Sequence, residues 1–220
     1  MRTEFYDRAE AGRLLAENLG SYANRSDVLV LALPRGGVPV AAEVAKKLDA
    51  PLDIFVVRKL GLPGHSELAM GAIASGGVRV FNGDVVNALR IPDEMIDAVT
   101  AREMAELQRR EKLYRGNRSA PEVEGKTVIL VDDGIATGST MLAAVAALRQ
   151  SNAGRIVVAA PVIAPSTYYQ IRQAADDVAA VMVPDNFYAV GQWYEEFGQT
   201  TDDEVREVLA QARAGHPVSS

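Results

Sequence analysis

Short apolar runs alternate with amphipathic stretches along most of the chain. The runs VLVLAL (28–33), LDIFVV (52–57), VRVF (78–81), TVILV (127–131), RIVVAA (155–160) and VAAVMV (178–183) read as strands. Each is too short for a helix and is bounded by glycine, proline or polar residues. Between them lie stretches with helical spacing. FYDRAEAGRLLAENLGSY (5–22) has Asp7 as N-cap and Glu10 three residues on. VPVAAEVAKKL (38–48) and TMLAAVAALRQ (140–150) follow strands directly, and a helix is expected between the last two strands. Pro92 opens a long helix over 92–115, with Met95, Ile96, Val99, Met104 and Leu107 near helical spacing. A capped amphipathic helix, 202–214, closes the chain. The glycine-rich segment 58–77 predicts a long loop, and the basic stretch QRREKLYRGNR (108–118) a solvated helix end. Apolar strands alternating with helices imply an α/β fold: a mostly parallel sheet flanked by helices on both faces. In such sheets ligands bind at the carboxyl ends of the strands.

Three polar or glycine-rich breaks fall just after predicted strands: Pro34–Gly37, Arg58 onward, and Asp132–Thr140. The fold therefore carries them to one edge. In the third, two adjacent carboxylates, Asp132 and Asp133, precede Thr137-Gly138-Ser139-Thr140, which runs into a helix. Unpaired backbone N–H groups, hydroxyls and the helix dipole make such a run a phosphate site, and Gly138 lets the backbone approach the anion. The carboxylates could hold ribose hydroxyls or a hydrated Mg²⁺. A plain Asp-Gly turn with a helix cap accounts for one acid and one hydroxyl but not for the whole set.

Composition narrows the classes. The 220 residues are 48% hydrophobic and 24% charged, as in an ordinary globular protein with a full core. No apolar run approaches the roughly 18 residues of a membrane span, and the first residues are charged where a leader needs apolar ones. The absence of cysteine excludes disulfides and thiolate chemistry, and a cytoplasmic setting is expected. A net charge of −6 argues against a nucleic-acid partner.

The segment VILVDDGIATGST (128–140) resembles the phosphoribosyl-pyrophosphate (PRPP) signature of the type I phosphoribosyltransferases, and the likeness covers most of the chain. ALPRGGVPVA (32–41) is similar to the family's pyrophosphate loop, with Arg35, Gly36 and Gly37 in place and, by position, a non-proline cis bond between Pro34 and Arg35. VVRK (56–59), with Arg58 and Lys59, resembles the second strand, and the glycines after it the flexible loop that closes over the substrates. VPDNFYAVGQWYEEF (183–197) resembles the segment that binds the base in hypoxanthine-guanine enzymes, with one extra residue between Phe187 and Gly191. The likeness is greatest to uncharacterised bacterial members whose acceptor is undefined.

The resemblance implies a single domain over 1–220, with a core of about 23–183 and a small C-terminal hood from the N-terminal helix and residues 184–220. PRPP would lie on Arg35, Gly36, Gly37, Arg58, Lys59, Asp132, Asp133, Ala136, Thr137, Gly138, Ser139 and Thr140, with Mg²⁺ at Asp132 and Asp133. Phe187 and Trp193 would stack on a heterocyclic acceptor, with Tyr188 and Tyr194 behind them, unless these rings simply fill core. The position before Thr137-Gly138, an aspartate in hypoxanthine-guanine enzymes, is Ala136 here, as in adenine enzymes that use a loop glutamate. Glu67 is the corresponding acid–base candidate, with His65 second and Asp133 the next catalytic candidate. The implied reaction transfers ribose 5-phosphate from PRPP to a ring nitrogen and releases pyrophosphate. No membrane partner is expected, and a homodimer is left open. Two rivals are a PRPP-sensing regulator that keeps the fold, and a phosphohydrolase or kinase built on the paired acids. No Gly-x-x-x-x-Gly-Lys loop supports the latter.

Overall fold

The computed structural model describes residues 4–63 and 65–215, the side chains of residues 65–68 excepted. Its centre is a five-stranded parallel sheet of β1 (Val28–Ala32), β2 (Leu52–Ile54), β6 (Thr127–Val131), β7 (Arg155–Val162) and β8 (Asp177–Met182). The spatial order is β2-β1-β6-β7-β8. β1 therefore connects outward to one side and β6 to the other, and the crevice at this reversal is where open α/β sheets bind ligands. The register pairs Ala32 with Val131, so the loops after β1 and β6 leave the sheet side by side.

The helices around the sheet follow the expected amphipathic stretches: α1 (Arg8–Glu17), α2 (Gly37–Leu48), α4 (Asp93–Arg115), α5 (Ser139–Gln150), α6 (Pro165–Ala174) and α7 (Asp202–Gly215). Strand alternation sends Val28, Val30 and Ala32 to the face covered by α1, α2, α4 and α7. Leu29, Leu31 and Leu33 go to the face covered by α5 and α6. Both sets are buried, which is why the strand runs carry no polar alternation. Asp7 caps α1 by accepting the Glu10 backbone N–H at 2.7 Å, as its spacing predicts.

Two expectations are corrected. Segment 58–77 is not a long loop: β3 (Val57–Leu62) and β4 (His65–Ala74) form an antiparallel hairpin, which β5 (Val78–Phe81) extends to a second, three-stranded sheet. Its glycines serve close packing as well as turns; a β-carbon on Gly71 would lie 2.1 Å from the Val80 carbonyl oxygen. The run 52–57 is accordingly two strand segments, β2 and the start of β3, and the short helix α3 (Gly83–Ala88) follows β5. The basic helix end is not fully solvated either. Arg115 is 3% exposed and bonds Asp53 (3.1 Å), the Ile54 carbonyl (2.5 Å) and Glu111 (2.7 Å), tying α4 to β2.

Among the described residues, no helix is long and apolar enough to cross a membrane. The N-terminal and C-terminal segments meet where Phe5 pairs with Tyr194, and the two pack with Ala11 and Val162 in a separate small cluster.

Candidate active site

The acid pair stands at the end of the central strand β6. Asp132 donates its N–H to the Ala159 carbonyl of β7 (3.2 Å), and its Oδ1 accepts the Asp133 N–H (2.9 Å). Beside it, Leu33 donates to the Val131 carbonyl (2.9 Å), and Gly37 to Leu33 (3.1 Å), turning the chain into α2. The Pro34–Arg35 peptide is cis. Both glycines press on the acids. A β-carbon at Gly36 would lie 2.1 Å from Asp133 Oδ2, and one at Gly37 2.7 Å from the Val131 carbonyl and 3.2 Å from Asp132 Oδ1.

The loop from Gly134 to Gly138 is held from below. Ile135 bridges Ile163 beyond β7, and the Thr167 hydroxyl of α6 donates to the Ala136 carbonyl at 2.5 Å. Gly138 has φ of +70°, and a β-carbon there would meet Thr167 at 2.5 Å. This left-handed glycine starts α5 and leaves the hydroxyl-bearing residues Thr137, Ser139 and Thr140 exposed around the helix N-terminus. The N-termini of α2 and α5 both start from these loops, and the positive end of α2 lies against the acid pair through Gly36 and Gly37.

Burial pushes the Asp132 carboxyl well above the ordinary aspartate range, and the Asp133 charge adds to it. Asp133 is raised by burial as well, against the opposing pull of the Arg8 guanidinium. Arg8 Nε lies 2.8 Å from Asp133 Oδ2. The Tyr194 hydroxyl donates to the Asp133 carbonyl at 2.5 Å, and burial raises that phenol too.

The two cations after β2 part company. Arg58 faces α4 and binds Glu103 (2.7 and 3.0 Å), so it is engaged away from the acid pair. Lys59, on the opposite face of β3, lines a cavity of about 480 Å³ with Gly71, Phe81, Asn82, Thr137 and Ser139. Arg35 stands 3.7 Å from Asp202 at the start of α7, and Asp202 also accepts the Tyr114 hydroxyl at 2.5 Å. Phe187 and Trp193 pack on each other, ring centroids 6.4 Å apart, against the small cluster around Phe5. Tyr188 is 88% exposed, whereas Tyr194 is buried. Glu67 and His65 fall in β4, but their side chains lie outside the described residues.

Arg8, Thr167 and Asp202 are the site neighbours that motif reading misses, and Tyr194, named there as an acceptor-side ring, instead binds the Asp133 carbonyl. Only Arg8 leaves a signal in the sequence: a cation on the first residue of a capped helix, where the dipole disfavours it.

The acids fit a magnesium ion. They are hard oxygen donors, and this metal usually takes one or two carboxylates and completes its shell with water and substrate phosphate. Among the described residues no group of three or more acidic or histidine side chains is gathered into a metal cage.

A five-stranded parallel sheet that carries an acid pair and a glycine-started, hydroxyl-bearing helix N-terminus at its switch point defines an α/β protein with its polar site at the strand ends. The chain matches the phosphoribosyl transferase domain model over residues 2–68 and 64–196, and it belongs to that family. Its core is the type I phosphoribosyltransferase fold. Proteins from two strains of Mycobacterium tuberculosis, each provisionally named a phosphoribosyl transferase, are 47% identical over 208 residues, 94% of this chain. The chain spans about half the length of these curated relatives, the match covering 47% of each. The crystal structure of TT1426 from Thermus thermophilus superposes with a TM-score of 0.84 at 41% identity, covering 94% of this chain and 98% of that one.

Proposed function

We propose that this protein is a magnesium-dependent phosphoribosyltransferase that transfers ribose 5-phosphate from PRPP to a ring nitrogen of a heterocycle, with a nucleobase the leading acceptor class. The observation that carries this reading is the meeting, at one sheet edge, of the loops after β1 and β6 with strand β3 of the second sheet. The Gly36 backbone abuts Asp133, Asp133 leads into the Thr137–Thr140 helix start, and Lys59 faces the same cavity as Thr137 and Ser139.

In this reading the Thr137–Thr140 loop seats the 5′-phosphate, and that remote binding energy positions the anomeric carbon. Asp132 and Asp133 orient the ribose hydroxyls and would hold the Mg²⁺, which supplies positive charge for the departing diphosphate. Arg35 and Lys59 stabilise the same leaving group. The bond from C1′ to the diphosphate oxygen breaks, with oxocarbenium character at C1′, and a bond from C1′ to the acceptor nitrogen forms. The acceptor's ring proton passes to a base, for which Glu67 is the candidate because Ala136 offers no acid–base group. Phe187 and Trp193 would border the acceptor, and the α1 and 184–220 segments would cover it as a hood.

The test is pyrophosphate release from PRPP with Mg²⁺ across a panel of purines, pyrimidines and other heterocycles. Turnover with one acceptor, lost in Asp133→Asn, supports the reading. No release with any acceptor, together with no PRPP binding, contradicts it.

A further inference from the structure

The Asp133 carboxylate has a cationic partner within its own chain. Arg8 binds its Oδ2 through Nε at 2.8 Å, donates from NH1 to the Gly198 carbonyl at 2.7 Å, and lies 4.0 Å above the Phe197 ring. The Arg8 side chain is 13% exposed. Phe197 stacks on Tyr194 (4.9 Å between centroids), whose hydroxyl holds the Asp133 carbonyl. One assembly thus grips Asp133 at its carboxylate and its backbone. Gly36 packs against Oδ2 as well, with no room for a β-carbon between them. Nothing in α1 itself asks for a cation at this position, because the helix dipole there favours an anion.

We propose that Arg8 is the resident counter-cation of Asp133: a divalent metal reaches this carboxylate only by displacing the guanidinium, which the diphosphate of a substrate would then receive. A guanidinium clamped by two hydrogen bonds and an aromatic face competes directly with a metal for Oδ2. A free divalent ion brings nothing to receive the released arginine. A metal–diphosphate complex brings phosphate oxygens, for which the planar guanidinium is a suited partner. The second half of this inference rests on the PRPP reading; the competition between Arg8 and free metal does not.

The experiment is a Mn²⁺ titration of the full chain, following the free-ion electron paramagnetic resonance signal, without and with PRPP. The variants are Arg8→Met, Phe197→Leu and the double variant Arg8→Met/Asp133→Asn. The wild type is expected to bind free Mn²⁺ at least about tenfold more weakly than it does with PRPP present. Arg8→Met should bind free Mn²⁺ about tenfold more tightly than wild type, and the gain should vanish in the double variant. Phe197→Leu, which loosens the clamp without removing the charge, should show a smaller gain and keeps the test valid if Arg8→Met folds poorly. Unchanged or weaker Mn²⁺ binding in both Arg8→Met and Phe197→Leu, or a gain that survives loss of Asp133, overturns the proposal. If Arg8→Met gains Mn²⁺ affinity while the wild type takes no PRPP, the counter-cation stands and the phosphoribosyl reading falls. If the wild type binds PRPP but neither variant gains Mn²⁺ affinity, the counter-cation falls and the phosphoribosyl reading stands.

Discussion

Gly36 and Asp133 are in contact across the switch point of the sheet: a β-carbon on the glycine would fall 2.1 Å from the carboxylate oxygen that Arg8 holds. The backbone of Gly36 is right-handed helical, so the position needs glycine for room and not for conformation. Gly36→Ala should therefore fold, at a cost of about 1–3 kcal/mol as for other overpacked sites, while it drives the Asp133 carboxylate off its seat. Pyrophosphate release should fall at least about tenfold, as for loss of one charge-assisted bond. Activity at the wild-type level in a folded Gly36→Ala protein would show that the seat of Asp133 is not needed.

Asp132 should destabilise the ligand-free protein at neutral pH. Its folded pKa is raised, by burial first and by the Asp133 charge second. A carboxyl with a raised folded pKa contributes its full stability below the unfolded value, about 3.9, and that contribution is lost as pH rises through the folded value. Asp132→Asn removes the charge and should match wild type in acid but exceed it by about 0.5–2 kcal/mol at neutral pH, at the expense of turnover. Denaturant unfolding across that pH range checks this; a variant no more stable than wild type at pH 7 would contradict it.

Arg58 and Lys59 should separate stability from binding. Arg58→Ala leaves Glu103, 10% exposed, with Arg102 alone, and should cost on the order of 1 kcal/mol of stability with little change in PRPP affinity. Lys59→Ala should leave stability nearly unchanged and weaken PRPP binding by about tenfold. Paired melting curves and calorimetric titrations would reveal the opposite assignment directly.

This pair also shows where the sequence is legible and where it is not. The strand runs other than 52–57, the Asp7 cap of α1 and the helix start at Ser139 follow from local pattern, because each leaves a mark in consecutive residues. The hairpin over 57–74 does not. Its glycines look like a loop because the strand needs them to let β4 and β5 approach, a contact between segments. Alternation along β3 parts Arg58 from Lys59, but only once the segment is known to be a strand. Arg115 looks solvated for the same reason: its partner Asp53 lies 62 residues away. Arg8 and Tyr194 reach Asp133 only through the packing of the two ends of the chain against the central strand.

Glu67→Gln should lower kcat by about 10²–10⁴-fold, the usual worth of a positioned acid–base group, and leave PRPP binding nearly intact. The prediction follows from Ala136, which cannot move a proton. His65→Ala should have the smaller effect. Single-turnover measurements that show Glu67→Gln at the wild-type rate would move the proton step elsewhere, with Asp133 next.

The central claim is that the helix start at Thr137–Thr140 seats a phosphate of PRPP, and Ser139→Asp tests it most directly. An acidic residue in the first turn of α5 suits the helix dipole, so the variant should be as stable as wild type. Its carboxylate would occupy and repel the phosphate seat. Calorimetric titration with PRPP and Mg²⁺ should give one site in the wild type and binding at least about tenfold weaker, or none, in Ser139→Asp. Equal PRPP affinity in the two proteins would contradict the account.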